Sequence, residues 1–141
     1  MKIKVPLATL QLLVGAFAVV GGLLMMTGNM GLQQDWLEKT PFTDWTIPGL
    51  ALLLLPGLGE LLAAAAVLSR WRYARFLAVF SGLGLVGWIL VQLLWMQIFH
   101  PVLHPLVGSI GVAIAVLGWF LPPNSPRRTS DSAALKGFDL A

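Results

Sequence analysis

The chain has 141 residues, of which 57% are hydrophobic and only 11% charged. A domain with a water-facing surface carries about 25% charged residues, so this composition excludes an ordinary water-soluble globule. The net charge of +3 could suggest a nucleic-acid partner, but the basic residues are segregated rather than clustered on one binding face. The absence of cysteine excludes disulfides, dithiol redox chemistry and cysteine-ligated metals.

Four apolar runs are long enough to cross ~30 Å of hydrocarbon at ~1.5 Å per residue: Val5 to Met26, Ile47 to Leu68, Phe76 to Ile98, and Pro101 to Leu121. The expected fold class is therefore all-α, a polytopic membrane protein whose four transmembrane helices form one bundle over residues 1–121, with a flexible cytoplasmic tail over 122–141. Lys2, Lys4, Arg70, Arg72, Arg75, Arg127, Arg128 and Lys136 fall on one side of this arrangement and Lys39 on the other. By the positive-inside rule both termini and the Ser69 to Arg75 loop are cytoplasmic. Ala16-Phe17-Ala18 offers a signal-peptide cleavage site, yet the apolar run continues to Met26, too far for the core of a signal peptide. The first helix is expected to be retained.

On helix 1, Gln11, Gly15, Ala18 and Gly22 share one face, and helix 4 repeats the pattern with Gly108, Gly111, Ala115 and Gly118. Small residues allow close backbone approach in lipid, so helices 1 and 4 are expected to meet through these faces. In the first outer loop, Leu32, Trp36 and Leu37 alternate with Gln33, Gln34, Asp35 and Glu38, which reads as a short amphipathic segment at the interface. Trp36 and Trp45 outside, and Trp71, Tyr73 and Trp119 inside, fit interfacial belts as anchors. Thr46 is a candidate N-cap for helix 2, with Pro48 in its first turn.

The segment Pro41-Phe42-Thr43-Asp44-Trp45-Thr46-Ile47-Pro48-Gly49-Leu50, followed by a four-helix plan with basic residues after helix 2, resembles small uncharacterised bacterial four-helix membrane proteins. In helix number and size the architecture is also loosely similar to the DoxX-type family. The resemblance implies a bacterial cytoplasmic membrane protein and carries no catalytic residues with it.

Helix 2 contains the costliest sequence, Pro56-Gly57-Leu58-Gly59-Glu60. Pro56, Gly57 and Gly59 predict a helix break, and Glu60 lies nine residues, or ~13 Å, inward from Ser69. Gln11 and Ser81 fall in the same layer of the cytoplasmic half. An ionised carboxylate at the membrane centre costs roughly 2.5–3.5 kcal/mol, and no basic residue lies within the spans, so a neutral acid bonded to Gln11 or Ser81 is expected. Glu60 is either a structural hydrogen-bonder beside a proline kink or the titrating group of a proton-coupled site. On helix 3, Ser81, Gly84, Trp88, Gln92 and Trp95 form a stripe expected to face the bundle interior, with Gln92 seeking a partner on a neighbouring helix. His100 and His104 are four apart, but Pro101 and Pro105 argue for a tight turn and a structural role.

No catalytic constellation, metal set or cofactor motif emerges. The sequence favours an accessory or assembly component that packs with itself, as a homo-oligomer, or with a larger membrane complex. A small oligomeric proton-linked carrier using Glu60 is the alternative, and the lack of paired acid–base groups or metal ligands disfavours a membrane enzyme.

Overall fold

A computed structural model describes residues 2–97 and 99–123; the tail expected over 122–141 lies almost wholly outside the described residues. Four helices follow one another: α1 (Lys4–Met26), α2 (Thr46–Leu68), α3 (Ala74–Met96) and α4 (Leu103–Trp119). The first three are long and apolar enough to cross a membrane, at 23 residues each. The fourth is a shorter apolar helix of 17 residues, or about 26 Å. Its expected start at Pro101 moves to Leu103 because Pro101 and Val102 form the turn that precedes it.

The expected pairing of helix 1 with helix 4 is not what the backbone does. The chain folds as two hairpins, α1 against α2 and α3 against α4, each closed by facing glycines. A Cβ added to Gly22 would meet the Gly49 carbonyl oxygen at 2.6 Å, and one added to Gly49 would meet the Gly22 oxygen at 2.8 Å. In the second hairpin, Gly82 stands in the same relation to the Gly111 oxygen at 2.6 Å, and Gly111 to the Gly82 oxygen at 3.0 Å. Gly15 abuts Leu61 and the Gly57 carbonyl, and Gly118 abuts Ala78. Ala18 is half-buried, and Ala115 fits beside Gly82. Gly108 has open space where a side chain would stand. The small-residue faces are thus real packing faces, but each is matched to its chain neighbour. Loop length does not select these pairs: the connection inside the first hairpin, residues 27–45, is longer than the one between the hairpins, residues 69–73, so the match of the faces decides.

The expected helix break is likewise replaced by a continuous helix. Residues Leu53–Leu58 widen into a π-type turn with Pro56 inside it, and flanking Leu52 and Gly59 keep right-handed helical angles. Proline lacks an N–H and clashes with the carbonyl four residues back; an extra residue in the turn relieves that clash without ending the helix. Gly57 then faces Val19 of α1 closely enough that a Cβ would stand 3.0 Å from its Cγ2. Gly59 has open space around it. A second π-type turn, Gln92–Met96, ends α3, and Gln97 follows in the left-handed region at φ 55°.

Two cores result. The larger joins all four helices through Leu7, Ala8, Ala66, Val67, Ala74, Ala78, Leu85, Ile114 and Leu121. The smaller closes the outer loop, with Met25, Leu37 and Trp45 packed against Leu32, Phe42, Leu52 and Met96. The amphipathic segment is a single 3-10 turn, Gln34–Leu37, which buries Leu37. Trp45 is therefore no lipid-facing anchor: it is 7% exposed and meets Trp36 edge-on at 6.4 Å. Trp36, Trp71 and Trp119 do remain exposed.

Local signals explain the helix ends. Gly28, at φ 71°, terminates α1 in the conformation that costs glycine least. At the start of α2 the capping side chain is Asp44 rather than Thr46, its Oδ1 accepting the Thr46 N–H at 2.8 Å. That bond, with a second from the Thr46 hydroxyl, holds the Asp44 carboxyl below the ordinary carboxylate range.

Two outcomes are expected. Gly82→Ala forces a backbone separation between α3 and α4 and should cost about 1–3 kcal/mol in detergent unfolding, whereas Gly84→Ala, with open space around it, should be close to neutral. Because the folded-state pKa of Asp44 is lowered, its contribution is present above the unfolded value, ~3.9, and is lost as pH falls through the lower folded value. Protection of the Thr46 amide, measured relative to intrinsic exchange at each pH, should therefore fall on acidification, and Asp44→Asn should remove that change in protection.

Candidate functional site

Three polar residues from three helices gather at one place. Gln11 on α1 and Glu60 on α2 are 0% and 1% exposed, and both converge on the half-buried Ser81 of α3. Gln11 Nε2 donates to Ser81 Oγ at 3.2 Å. The Ser81 hydroxyl lies 3.0 Å from Glu60 Oε2 and 3.2 Å from the Ala78 carbonyl oxygen, and can donate to one of them at a time. Each residue reaches its position by helical phase: Gln11 continues the buried face of Leu7 and Gly15, and Glu60 that of Gly57 and Ala64.

Acceptors outnumber donors in the cluster. Gln11 Oε1 and Glu60 Oε1 are both buried acceptors without a partner among the described residues. A buried acceptor left unpaired costs about 1–3 kcal/mol, against ~0.6 kcal/mol on average for one interhelical hydrogen bond in a membrane. One hydrogen on the Glu60 carboxyl would supply a donor to an acceptor-rich group that the apolar surroundings cannot serve.

The rest of the expected α3 stripe points elsewhere. The buried face of α3 is Ala74, Ala78, Gly82, Leu85 and Ile89, so the interior runs along the positions beside Ser81 rather than through Gly84 and Trp95, which are exposed. Gln92 is only half-buried, within the π-type turn, and no side-chain hydrogen bond joins it to a neighbouring helix among the described residues. Its expected inward role is corrected accordingly: the widened turn rotates it away from the helix interface.

The histidines build the outer end of α4. His100 Nδ1 faces the N–H groups of Val102 and Leu103, each at 3.3 Å, in the manner of an N-cap. His104 is 8% exposed; its Nδ1 accepts the His100 backbone N–H at 2.9 Å, and its ring stacks on Phe99 at 5.9 Å. That pattern assigns the hydrogen to Nε2, which is buried without a partner. Among the described residues, no three histidine, aspartate or glutamate side chains come together as a metal set.

Two cavities lie at the outer end of the molecule. A cavity of about 290 Å³ lies between the outer loop and the end of α3, lined by Asp35, Trp36, Glu38, Lys39, Met96, Gln97 and Phe99. Lys39 Nζ donates to Gln97 Oε1 across it. The other, about 60 Å³, lies beside Trp45 and the turn after α1. Neither has Gln11, Glu60 or Ser81 in its lining.

Sequence spacing could have found the capping role of Asp44, two residues before Thr46. The His100 cap and the burial of Trp45 depend on how the loops fold back, and no local pattern announces either.

Glu60→Gln adds hydrogens at the same shape and should unfold in detergent close to wild type, whereas Glu60→Ala opens a cavity and strands Ser81, costing about 1–3 kcal/mol. Equal losses in both variants would mean that the cluster requires the carboxyl as such. Compared with known proteins, the chain matches no protein-family model, no curated protein and no solved structure.

Proposed function

We propose that this chain is an accessory or assembly component of a membrane, held in the bilayer as four transmembrane helices with both termini cytoplasmic, and packing with itself or with a larger membrane complex. The observation that carries this reading is the enclosure of its polar chemistry. Gln11 and Glu60 are almost fully buried among apolar and small residues, and the two cavities at the other end of the bundle do not include them in their lining. A carrier needs water or substrate to reach its charged group; a polar cluster locked between helices instead fixes how those helices meet. The outward surface is strongly apolar, with Val5, Phe17, Leu62, Phe76, Phe80 and Leu94 each more than 60% exposed, a surface suited to lipid or to other membrane helices. The segregation of basic residues supports the orientation, and together with the architecture it supports a place in a bacterial cytoplasmic membrane. The resemblance to DoxX-type proteins stays one of helix number and size.

A second reading, a small oligomeric proton-linked carrier, rests on the unpaired Glu60 Oε1. The two separate in proteoliposomes: Glu60→Gln that folds normally yet abolishes pH-dependent transport would support the carrier.

Affinity purification in mild detergent, followed by identification of co-purifying subunits, should recover either a homo-oligomer or a stable partner complex; a strictly monomeric, partner-free protein would overturn the accessory reading. For orientation, Gln33→Cys should react with an impermeant thiol reagent from outside, whereas Ser69→Cys should react only after the membrane is opened.

A further inference from the structure

The inner end of the bundle carries a concentrated positive charge that the described part of the protein does not neutralise. Arg70, Arg72 and Arg75 lie within six consecutive positions around the turn from α2 to α3. The described carboxylates are all elsewhere: Asp35, Glu38 and Asp44 belong to the opposite loop, and Glu60 is nine residues inward from Ser69. In place of acids, aromatic rings hold the guanidinium groups. Arg75 stands over Trp119 at 4.9 Å, bridging the start of α3 to the end of α4. Arg72 stands over Tyr73 at 4.3 Å and donates to its hydroxyl. Trp71 meets Tyr73 edge-on at 5.3 Å. Trp71, Tyr73 and Trp119 are all exposed, and their rings suit the depth of lipid headgroups.

A guanidinium has five N–H donors, so Arg75 over Trp119, and Arg72 beyond the one N–H it gives to the Tyr73 hydroxyl, keep donors for an oxyanion. We propose that Arg72 and Arg75, mounted on Tyr73 and Trp119, form a binding site for the phosphate of an anionic phospholipid headgroup in the inner leaflet. The donors are arginine, which binds phosphate through paired hydrogen bonds. The flanking aromatic and apolar surface, including the exposed Phe76 and Phe120, suits the glycerol and upper acyl portion that a free phosphate lacks. The proposal rests on the membrane reading above and not on the accessory role.

The test uses the full chain in mild nonionic detergent, with mixed micelles of phosphatidylglycerol or of phosphatidylcholine bearing the same acyl chains. Phosphatidylglycerol should raise the melting temperature and be retained preferentially in native mass spectrometry of the wild type. Arg72→Gln and Arg75→Gln should each weaken that response about fivefold, and Trp119→Leu should weaken it while leaving the charge in place. Equal response to phosphatidylcholine, an unchanged response in the double arginine variant, or the same stabilisation by inorganic phosphate alone would overturn the headgroup site. If the variants fail to fold, wild-type lipid selectivity decides the matter by itself. A chain that stays monodisperse without detergent would instead overturn the membrane reading.

Discussion

The bonds through Ser81 hold together what the glycine contacts leave separate. Each hairpin is closed internally by backbone approach, α1 to α2 at Gly22 and Gly49, and α3 to α4 at Gly82 and Gly111. Nothing in those contacts decides how the hairpins stand relative to one another. Gln11 and Glu60, from the two helices of the first hairpin, both turn to one hydroxyl on the second. Where water is excluded, a polar group that loses its partner has no other, so this arrangement tolerates little sliding between the pairs. The layer of Leu7, Val67, Ala78 and Ile114 then fills the space around it.

The same exclusion of water explains the treatment of Pro56. A broken helix in lipid would expose several unpaired carbonyls, each expensive to leave unsatisfied. Widening one turn disturbs far less backbone, and the glycine that follows lets α1 close over the distorted segment. The most irregular stretch of sequence thus lies directly against α1, with Gly57 beside Val19 and Gly15, one turn from Glu60. Irregular backbone and buried carboxyl are parts of one arrangement: the turn sets the phase that aims Glu60 inward.

The two ends of the molecule differ in chemistry as well as in charge. The end at the α1–α2 loop is closed by folded chain: Trp45 packs beneath Trp36, Lys39 reaches Gln97, and His100 caps α4. The end at the α2–α3 turn is short, with Arg72 and Arg75 standing over aromatic rings. One end is organised by the protein's own contacts, whereas the other presents donors outward.

The sequence by itself determined the helical class, the number of helices, the small-residue faces, and the layer shared by Gln11, Glu60 and Ser81. These follow from composition, from the 3.6-residue period and from counting along a rise of ~1.5 Å per residue, and none depends on which helix is whose neighbour. Tertiary structure decided the rest. The faces of Gly22 and Gly111 were legible, but their partners, Gly49 and Gly82, were not, because small-residue faces are mutually compatible and only the whole packing chooses among them. The π-type turn at Pro56 could not be read from a proline that would serve equally as a break. Trp45 reads as an interfacial anchor until the outer loop folds over it. The interior face of α3 passes beside Ser81 instead of through Trp95, a rotation of one residue that an apolar helix, hydrophobic on every side, leaves unmarked in its sequence.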